Sequence, residues 1–173
     1  MKSMATPFTV RDYELLPEGF RAQLVKGMLV KDETPTYGHQ GVVVSIFDRV
    51  RHFVPPGRVL LGPVGVTIDE LNVYAPDLAV FREDPPPDGR RELVPLVVFE
   101  VLSPSTSRRD RATKAPRYLA AGVEEVWLVD PSMRQIEVRA ATWAVEPTRG
   151  CVMSRAIEGF SLEAAELMRG RVG

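Results

Sequence analysis

The amino-acid sequence predicts an α/β (α+β) fold in which a mixed central β-sheet is flanked by helices. Two apolar segments, Val73–Phe81 and Val94–Leu102, are typical of buried strands, and the loop between them favours an antiparallel hairpin. After the second segment the apolar spacing changes from strand to helix, and it returns to strand at Glu125–Asp130. A strand, a helix and a strand within about 30 residues predict a right-handed parallel crossover. The sheet therefore combines antiparallel and parallel neighbours.

Length and composition are those of one folded unit. The chain has 173 residues, 45% apolar and 26% charged, so we expect a single domain spanning residues 1–173. Cys151 is the one cysteine, which excludes an internal disulfide and fits a reducing compartment. No stretch reaches the roughly 18 apolar residues of a membrane helix. The first residues lack the apolar core of a signal peptide, and we therefore predict a cytoplasmic protein.

The first half of the chain predicts two helices, a hairpin and an interrupted strand. Thr9 is a suitable N-cap for the first helix and Pro17 would stop it, whereas Pro55-Pro56-Gly57 ends the second. In chain order, we assign Thr9–Leu16 to a helix, Ala22–Lys31 to a hairpin, His39–Val54 to a helix, and Val59–Asp69 to a strand broken by Gly62, Pro63 and Gly65.

The second half continues with a loop and the crossover. Asp84–Arg91 (DPPPDGRR) is too rich in proline and glycine for regular structure. Pro116 predicts a kink in the crossover helix, and Gly122 stands where a C-cap glycine belongs. The assigned elements are a helix at Ser107–Ala121, strands at Glu125–Asp130 and Gln135–Ala140, and a last strand and short helix within Gly150–Arg169.

Two carboxylates interrupt the apolar segments. Asp77 lies in the middle of VYAPDLAVF, and Glu100 lies near the end of the next apolar segment. Directly opposed residues of an antiparallel hairpin have Cβ atoms about 4.5 to 5.5 Å apart. Two unpaired carboxylates at that separation repel each other, and burial raises their pKa values. A divalent cation removes the conflict, and Mg²⁺ suits the pair because it commonly uses one or two carboxylates and several waters. The alternatives are a capping role for Asp77 and an arginine partner for Glu100.

The crossover helix adds charged side chains on one face. Asp110, Lys114 and Tyr118 are spaced i, i+4 and i+8, so Lys114 can present its ammonium group to a developing phosphate charge. The alternative for Asp110 and Lys114 is a solvent-exposed ion pair that contributes about 0.2 to 0.5 kcal/mol.

A basic cluster lies at the start of the same helix. Arg108, Arg109 and Arg111 form it, in a chain whose formal net charge is −1. Such a cluster suits the phosphate backbone of a nucleic acid, although a solvated helix face is the ordinary alternative.

Three segments carry a family resemblance. APDLAVF, VVFEVLSPST and GVEEVWLVDP, with the spaced Asp110, Lys114 and Tyr118, resemble the Uma-type family of "putative restriction endonucleases" in the PD-(D/E)XK nuclease superfamily. The resemblance covers about residues 9 to 140 and is strongest between residues 75 and 131.

The resemblance implies a restriction-endonuclease-like core and a DNA substrate. It further implies a site built on Asp77 and Glu100 with a divalent metal, Mg²⁺ or Mn²⁺, and a catalytic lysine at Lys114. In the superfamily that lysine usually stands two residues after the glutamate, where this chain has Leu102. In the endonuclease hypothesis the carbonyl group of Val101 is a third ligand of the ion.

Accessory roles fall on three further residues. In the stretch QLVKG, Gln23 stands where the family tends to have a glutamate; a neutral amide binds Mg²⁺ less well but still orients a water. His39 matches a histidine that the family often places before its first long helix, with a cap or surface residue as the alternative. Asp110 is the third accessory residue.

The residues leave two functions open. The first is a metal-dependent endonuclease that hydrolyses phosphodiester bonds in DNA. The second is a catalytically inactive nuclease-fold protein that acts as a binding or assembly module, for example as a homodimer. Gln23, Pro116 and the absence of a basic surplus favour the second.

Overall fold

Two β-sheets form the framework of the molecule. The computed structural model describes residues 6–17, 19–87 and 93–167. Its strands are β1 (Ala22–Val25), β2 (Met28–Lys31), β3 (Val59–Leu61), β4 (Val66–Asp69), β5 (Asn72–Tyr74), β6 (Leu78–Val80), β7 (Val97–Val101), β8 (Glu125–Asp130), β9 (Gln135–Arg139), β10 (Ala144–Thr148), β11 (Cys151–Met153) and β12 (Ser161–Glu163). Within the described residues, six strands form one sheet in the order β10-β9-β8-β7-β6-β3, and four form another in the order β2-β1-β5-β4. Strands β11 and β12 pair with each other.

Short helices lie between and beside the sheets. They are α1 (Val10–Glu14), α2 (Tyr37–Val50), α3 (Ser107–Arg109), α4 (Ala115–Ala120) and α5 (Ala164–Leu167), with a π-helical segment, Asp110–Lys114, between α3 and α4. Thr9 caps α1 as predicted. Helix α2 begins two residues before the predicted start, because Thr36 accepts the backbone N–H of His39 and caps it, and it ends at Val50 rather than at Val54. No helix in the described ranges is long and apolar enough to cross a membrane.

The six-stranded sheet is mixed, as the sequence predicts. Strands β6 and β7 are antiparallel, with Leu78 opposite Phe99, whereas β7 and β8 are parallel, with Val97 opposite Glu125. All five residues of β7 are buried, because both faces of the sheet are covered. This double burial explains the continuous apolar run of the sequence.

Residues of β7 alternate between two apolar cores. Phe99 packs with Trp127 and residues of α2 on one face of the sheet, and Val98 packs with Tyr74 and Tyr118 on the other. Because side chains alternate along a strand, Glu100 projects to the same face as Val98 and meets the crossover helix.

The prediction of one strand at Val73–Phe81 was wrong. The segment forms two strands in different sheets, β5 and β6. Pro76, which lies between them, has no N–H to continue a strand ladder, and the N–H of Ala75 donates to the side-chain oxygen of Gln23 at 3.1 Å. Asp77 therefore lies at the crossing between the two sheets rather than within a strand.

The interrupted segment Val59–Asp69 divides in the same way, into β3 and β4. The N–H of Gly62 donates to the carbonyl oxygen of Asp77 at 2.8 Å, and a Cβ atom at Gly62 would collide with the carbonyl oxygen of Pro76. The two crossing segments thus pack backbone against backbone, and this contact fixes the position of Asp77.

The crossover helix has the predicted extent but an irregular interior. In the π-helical segment, the N–H of Ala115 bonds to the carbonyl oxygen of Asp110, five residues earlier. Pro116 follows directly, and its missing N–H and bulky ring disfavour regular α-helical bonds one turn before it. The helix ends at Ala120, Ala121 is its C-cap, and Gly122 follows with a φ of 103°, the left-handed conformation expected of a glycine that terminates a helix.

The loop and the tail were predicted less completely. Asp84–Arg91 contains no regular structure as far as Pro87, and its later residues lie outside the described ones. The tail has two paired strands, β11 and β12, where one was expected, followed by the expected short helix α5; its end at Arg169 lies outside the described residues. Strand β10 was not predicted.

Candidate active site

A pocket of about 320 Å³ opens where the two sheets meet. Its lining brings together most of the site residues expected from the sequence. They are Gln23, His39, Asp77, Glu100, Val101, Arg109, Asp110 and Lys114.

Glu100 lies at the bottom of this pocket and is 4% exposed. Its Oε1 atom accepts hydrogen bonds from Lys114 Nζ at 2.6 Å and from the Tyr118 hydroxyl at 2.9 Å. Burial is the main cause of a pKa of about 8 for Glu100; Lys114 opposes the rise, and Asp110 and Asp77 contribute to it. The positive charge of Lys114 therefore does not fully offset the effects of burial and of the neighbouring carboxylates on Glu100.

Lys114 is shared between two carboxylates. Its side chain is 2% exposed, and Nζ lies 3.4 Å from Asp110 Oδ1 as well as 2.6 Å from Glu100. Burial lowers the pKa of Lys114, but Glu100 and Asp110 more than offset this and raise it above its ordinary value. The exposed ion pair considered for Asp110 and Lys114 is not what forms, since both side chains are buried.

Asp77 approaches the same place from the crossing segment. Strands β6 and β7 are antiparallel, and Leu78 lies opposite Phe99. Continuing this register by one residue places Asp77, just before β6, opposite Glu100. Asp77 Oδ2 accepts the backbone N–H of Val101 at 2.7 Å. That bond ties the Asp77 carboxylate to the residue beside Glu100.

His39 completes this corner of the pocket from the first turn of α2. Its Nε2 atom lies 3.0 Å from the carbonyl oxygen of Val101 and 3.5 Å from Asp77 Oδ2. A carbonyl oxygen only accepts, so Nε2 carries a proton. The hydrogen bond to Asp77 raises the pKa of His39, although burial opposes the shift.

The residues present fit a divalent cation bound mainly by oxygen atoms. Among the described residues, no hydrogen bond reaches Glu100 Oε2 or Asp77 Oδ1. Asp110 Oδ1 is buried and also accepts none. Glu100 and Asp110 therefore contact the ammonium group of Lys114, Asp77 acts on it from further away, and all three carboxylates keep unused acceptor atoms.

Any ion here would depend on few protein ligands. Within the described ranges, no group of three or more His, Cys, Asp or Glu side chains is arranged to hold a metal. Mg²⁺ is compatible with this limit, because it is usually bound by one or two carboxylates and completes its shell with water and phosphate oxygens.

Gln23 is buried at the pocket wall and uses both ends of its amide. Its Oε1 accepts from Ala75, and its Nε2 donates to Asp32 Oδ1 at 2.8 Å. Asp32, which the sequence reasoning missed, also lines the pocket. No periodicity marks it, because it follows a hairpin strand and reaches the site only through the fold.

The three arginines of the basic cluster differ in their surroundings. Arg109 lines the pocket, and its Nε lies 3.9 Å from Asp110 Oδ1. Arg111 instead binds Glu137 at 3.0 Å and Asp130 at 3.3 Å, which ties the π-helical segment to the sheet, whereas Arg108 is exposed. Arg21, missed by the sequence reasoning, is exposed and also lines the pocket.

The chain is similar to known proteins in both sequence and structure. The family model described as "Uma2: Putative restriction endonuclease" matches residues 10–165. A crystal structure from Anabaena variabilis ATCC 29413, described as "a putative nuclease belonging to DUF820", is similar over 96% of this chain and 100% of that chain, with a TM-score of 0.80 and 19% sequence identity. At that identity the likeness shows the fold, and it confirms the expected mixed sheet flanked by helices. No curated protein matches the chain in sequence.

Proposed function

The chain belongs to the Uma2 family, and we propose that it is a divalent-metal-dependent endonuclease that hydrolyses phosphodiester bonds in DNA. The observation that carries the proposal is the meeting of Asp77, Glu100 and Lys114 in one pocket. A buried carboxylate that keeps a free oxygen and a raised pKa beside a lysine is better explained by a functional site than by stability alone.

Asp77, Glu100 and the carbonyl oxygen of Val101 would hold the ion, Mg²⁺ or Mn²⁺. When bound, such an ion polarises a phosphoryl group and lowers the pKa of an attacking water. The protein supplies the orientation: Val101 N–H holds Asp77, and His39 Nε2 holds the Val101 carbonyl group.

Lys114 acts as a fixed positive charge at the bottom of the pocket. Its raised pKa keeps it an ammonium group at neutral pH. An ammonium group that is already held in place stabilises the negative charge that develops on a phosphate in the transition state, without further reorganisation.

The remaining polar residues have supporting roles in this proposal. Asp110 holds Lys114 from the other side, and Gln23 orients Asp32 toward the pocket. Arg109 and the exposed Arg108 would meet the phosphate backbone of DNA, and a contact by Arg111 would have to coexist with its two carboxylate partners.

Cleavage assays test the proposal directly. Supercoiled plasmid, linear duplex and single-stranded DNA are incubated with the protein in Mg²⁺, in Mn²⁺ and in EDTA. We expect metal-dependent cleavage that falls at least about 100-fold in Glu100→Gln and Asp77→Asn, because each loses an ion ligand and with it part of the several kcal/mol that a bound metal contributes to the transition state. Glu124→Gln is the matched control, because Glu124 is exposed and pairs with Arg82 instead of lining the pocket. Equal cleavage by all four proteins, or by none of them, would contradict the proposal.

A second candidate is a nuclease-fold protein that binds or assembles without cutting. The observation that favours it is Gln23, whose amide is already used by Asp32 and Ala75. Calorimetric titration separates the two candidates: no Mg²⁺ or Mn²⁺ binding at millimolar concentration would favour the inactive module.

Three expectations from the sequence stay predictions. Cutting both strands of a duplex favours a homodimer, which the mass in solution tests. A single domain over residues 1–173 and a cytoplasmic location are the other two.

A further inference from the structure

We propose that Tyr118 is a positioning residue that fixes the orientation of Glu100 and thereby sets the affinity of the pocket for a divalent cation. This inference rests on the proposed function, because it concerns the same carboxylate. It assigns a task to a side chain that would itself touch neither the ion nor the DNA.

One oxygen atom of Glu100 accepts both of its side-chain hydrogen bonds. Tyr118 OH and Lys114 Nζ both donate to Glu100 Oε1, at 2.9 Å and 2.6 Å. Two donors on one oxygen define the rotation of the carboxylate group about its last bond. Because that oxygen is occupied, Oε2 is the atom left for the pocket.

Lys114 alone does not fix this rotation. Its ammonium group also lies 3.4 Å from Asp110 Oδ1, so it has two carboxylates to choose between, and its flexible stem can follow either one. The hydroxyl of Tyr118 has Glu100 as its one hydrogen-bond partner among the described residues. Tyr118 therefore supplies the contact that distinguishes Oε1 from Oε2.

The side chain of Tyr118 is held rigidly by its neighbours. Its side chain is fully buried, and its ring meets the ring of Tyr74 edge to face, with centroids 5.4 Å apart. A tyrosine hydroxyl has an ordinary pKa of about 10, so at neutral pH it keeps its proton and remains a donor. Replacing a residue that orients a metal ligand without binding the metal itself commonly changes metal affinity about 10- to 100-fold.

Tyr74 provides a matched control. It is equally buried and belongs to the same ring pair, but its hydroxyl donates to Asn72 Oδ1 at 2.9 Å and not to Glu100. Tyr118→Phe and Tyr74→Phe each remove one buried hydroxyl and keep the ring. They differ in whether the lost bond reaches the carboxylate of the pocket.

Calorimetric titration of the full chain with Mn²⁺, combined with melting curves in EDTA, tests the inference. We expect Tyr118→Phe to weaken Mn²⁺ binding about 10-fold or more, and Tyr74→Phe to stay within about twofold of wild type. The melting temperatures of the two metal-free variants should fall by similar amounts, because each loses one buried hydrogen bond. Crystal structures of the metal-free variants should show Glu100 rotated in Tyr118→Phe alone.

The possible outcomes separate this inference from the proposed function. If wild type binds Mn²⁺ through Asp77 and Glu100 and Tyr118→Phe binds it equally well, the role of Tyr118 is overturned and the proposed function stands. Equal weakening in both tyrosine variants would show a general packing effect and would also overturn it. If wild type binds no Mn²⁺, both proposals fail together.

Discussion

Lys114 Nζ lies 2.6 Å from Glu100 Oε1, and this ion pair is almost completely buried. Taking two opposite charges out of water is costly, and the low-dielectric interior compensates only when the remaining hydrogen-bonding atoms are satisfied. Asp77 and Asp110 add negative charge near this pair, and Lys114 is the one buried cation in the part of the chain that the structure describes. The pair therefore belongs to a cluster with surplus negative charge.

Replacing the lysine should expose this surplus. We expect Lys114→Met to lower the free energy of unfolding by about 3–5 kcal/mol in EDTA, because two buried carboxylates lose their cation. Urea denaturation measures the change. Arg117→Met on the same helix is the control: its exposed ion pair with Asp69 contributes about 0–1 kcal/mol. A loss no larger in Lys114→Met than in Arg117→Met would contradict the surplus.

The arginine cluster should divide into two roles. Arg111→Ala should destabilise the fold by about 1–3 kcal/mol, because it leaves Glu137 and Asp130 with fewer charged hydrogen bonds. Arg109→Ala should leave the melting temperature nearly unchanged but weaken DNA binding. The slope of the logarithm of the binding constant against the logarithm of the salt concentration should fall by about one, the amount expected for one lost phosphate contact. Binding titrations at several salt concentrations, in EDTA to prevent cleavage, measure the second effect. DNA affinity that is unchanged in Arg109→Ala would remove this residue from the interface.

Gln23→Glu should lower the stability of the metal-free protein and raise its affinity for a divalent cation. The glutamate loses the N–H bond to Asp32 and places a carboxylate beside it, so we expect about 1–3 kcal/mol lower stability without metal. The added negative charge at the pocket wall should at the same time tighten Mn²⁺ binding. Melting curves and calorimetry of the same preparation measure both effects. Tighter Mn²⁺ binding without a loss of stability, or a loss of stability without tighter Mn²⁺ binding, would contradict this prediction.

Asp130 should make stability depend on pH. Burial tends to raise the pKa of Asp130, but hydrogen bonds from Ser132, Met133 and Arg111 lower it below its ordinary 3.8. A carboxyl group whose folded pKa is lowered stabilises the protein above the unfolded pKa, and this stabilisation is lost as pH falls through the folded value. Asp130→Asn should therefore be less stable than wild type at pH 7, and the difference should shrink below pH 3.8.

Urea denaturation at several pH values measures this difference. Asp48→Asn is the control, because Asp48 is exposed and its ion-pair partner among the described residues is Arg51, three residues later. A difference between wild type and Asp130→Asn that stays constant from pH 7 to about pH 2 would contradict the assignment.

The sequence predicts the framework well because its signals are local. The apolar run before Glu100, the helical spacing of Asp110 and Lys114, and the strand EVWLVD each depend on near neighbours, and together they predict the parallel crossover that the structure contains. The same spacing predicts that Lys114 and Tyr118 share a helix face, and both in fact reach Glu100.

What the sequence does not predict depends on contacts between distant segments. Val73–Phe81 is apolar in either sheet, so its pattern does not show that the chain changes sheets at Pro76. Asp32 and Arg21 flank the β1–β2 hairpin and reach the pocket only because β1 pairs with β5. Nothing local marks them as neighbours of Glu100.

The most direct test of the central claim is a crystal soaked in Mn²⁺ and measured near the manganese absorption edge. The claim is that Asp77 and Glu100 hold one divalent cation together. It predicts an anomalous peak in contact with both carboxylates in wild type, and no such peak in Glu100→Gln. A wild-type crystal with no peak at these residues, or with a peak that touches neither carboxylate, would contradict it.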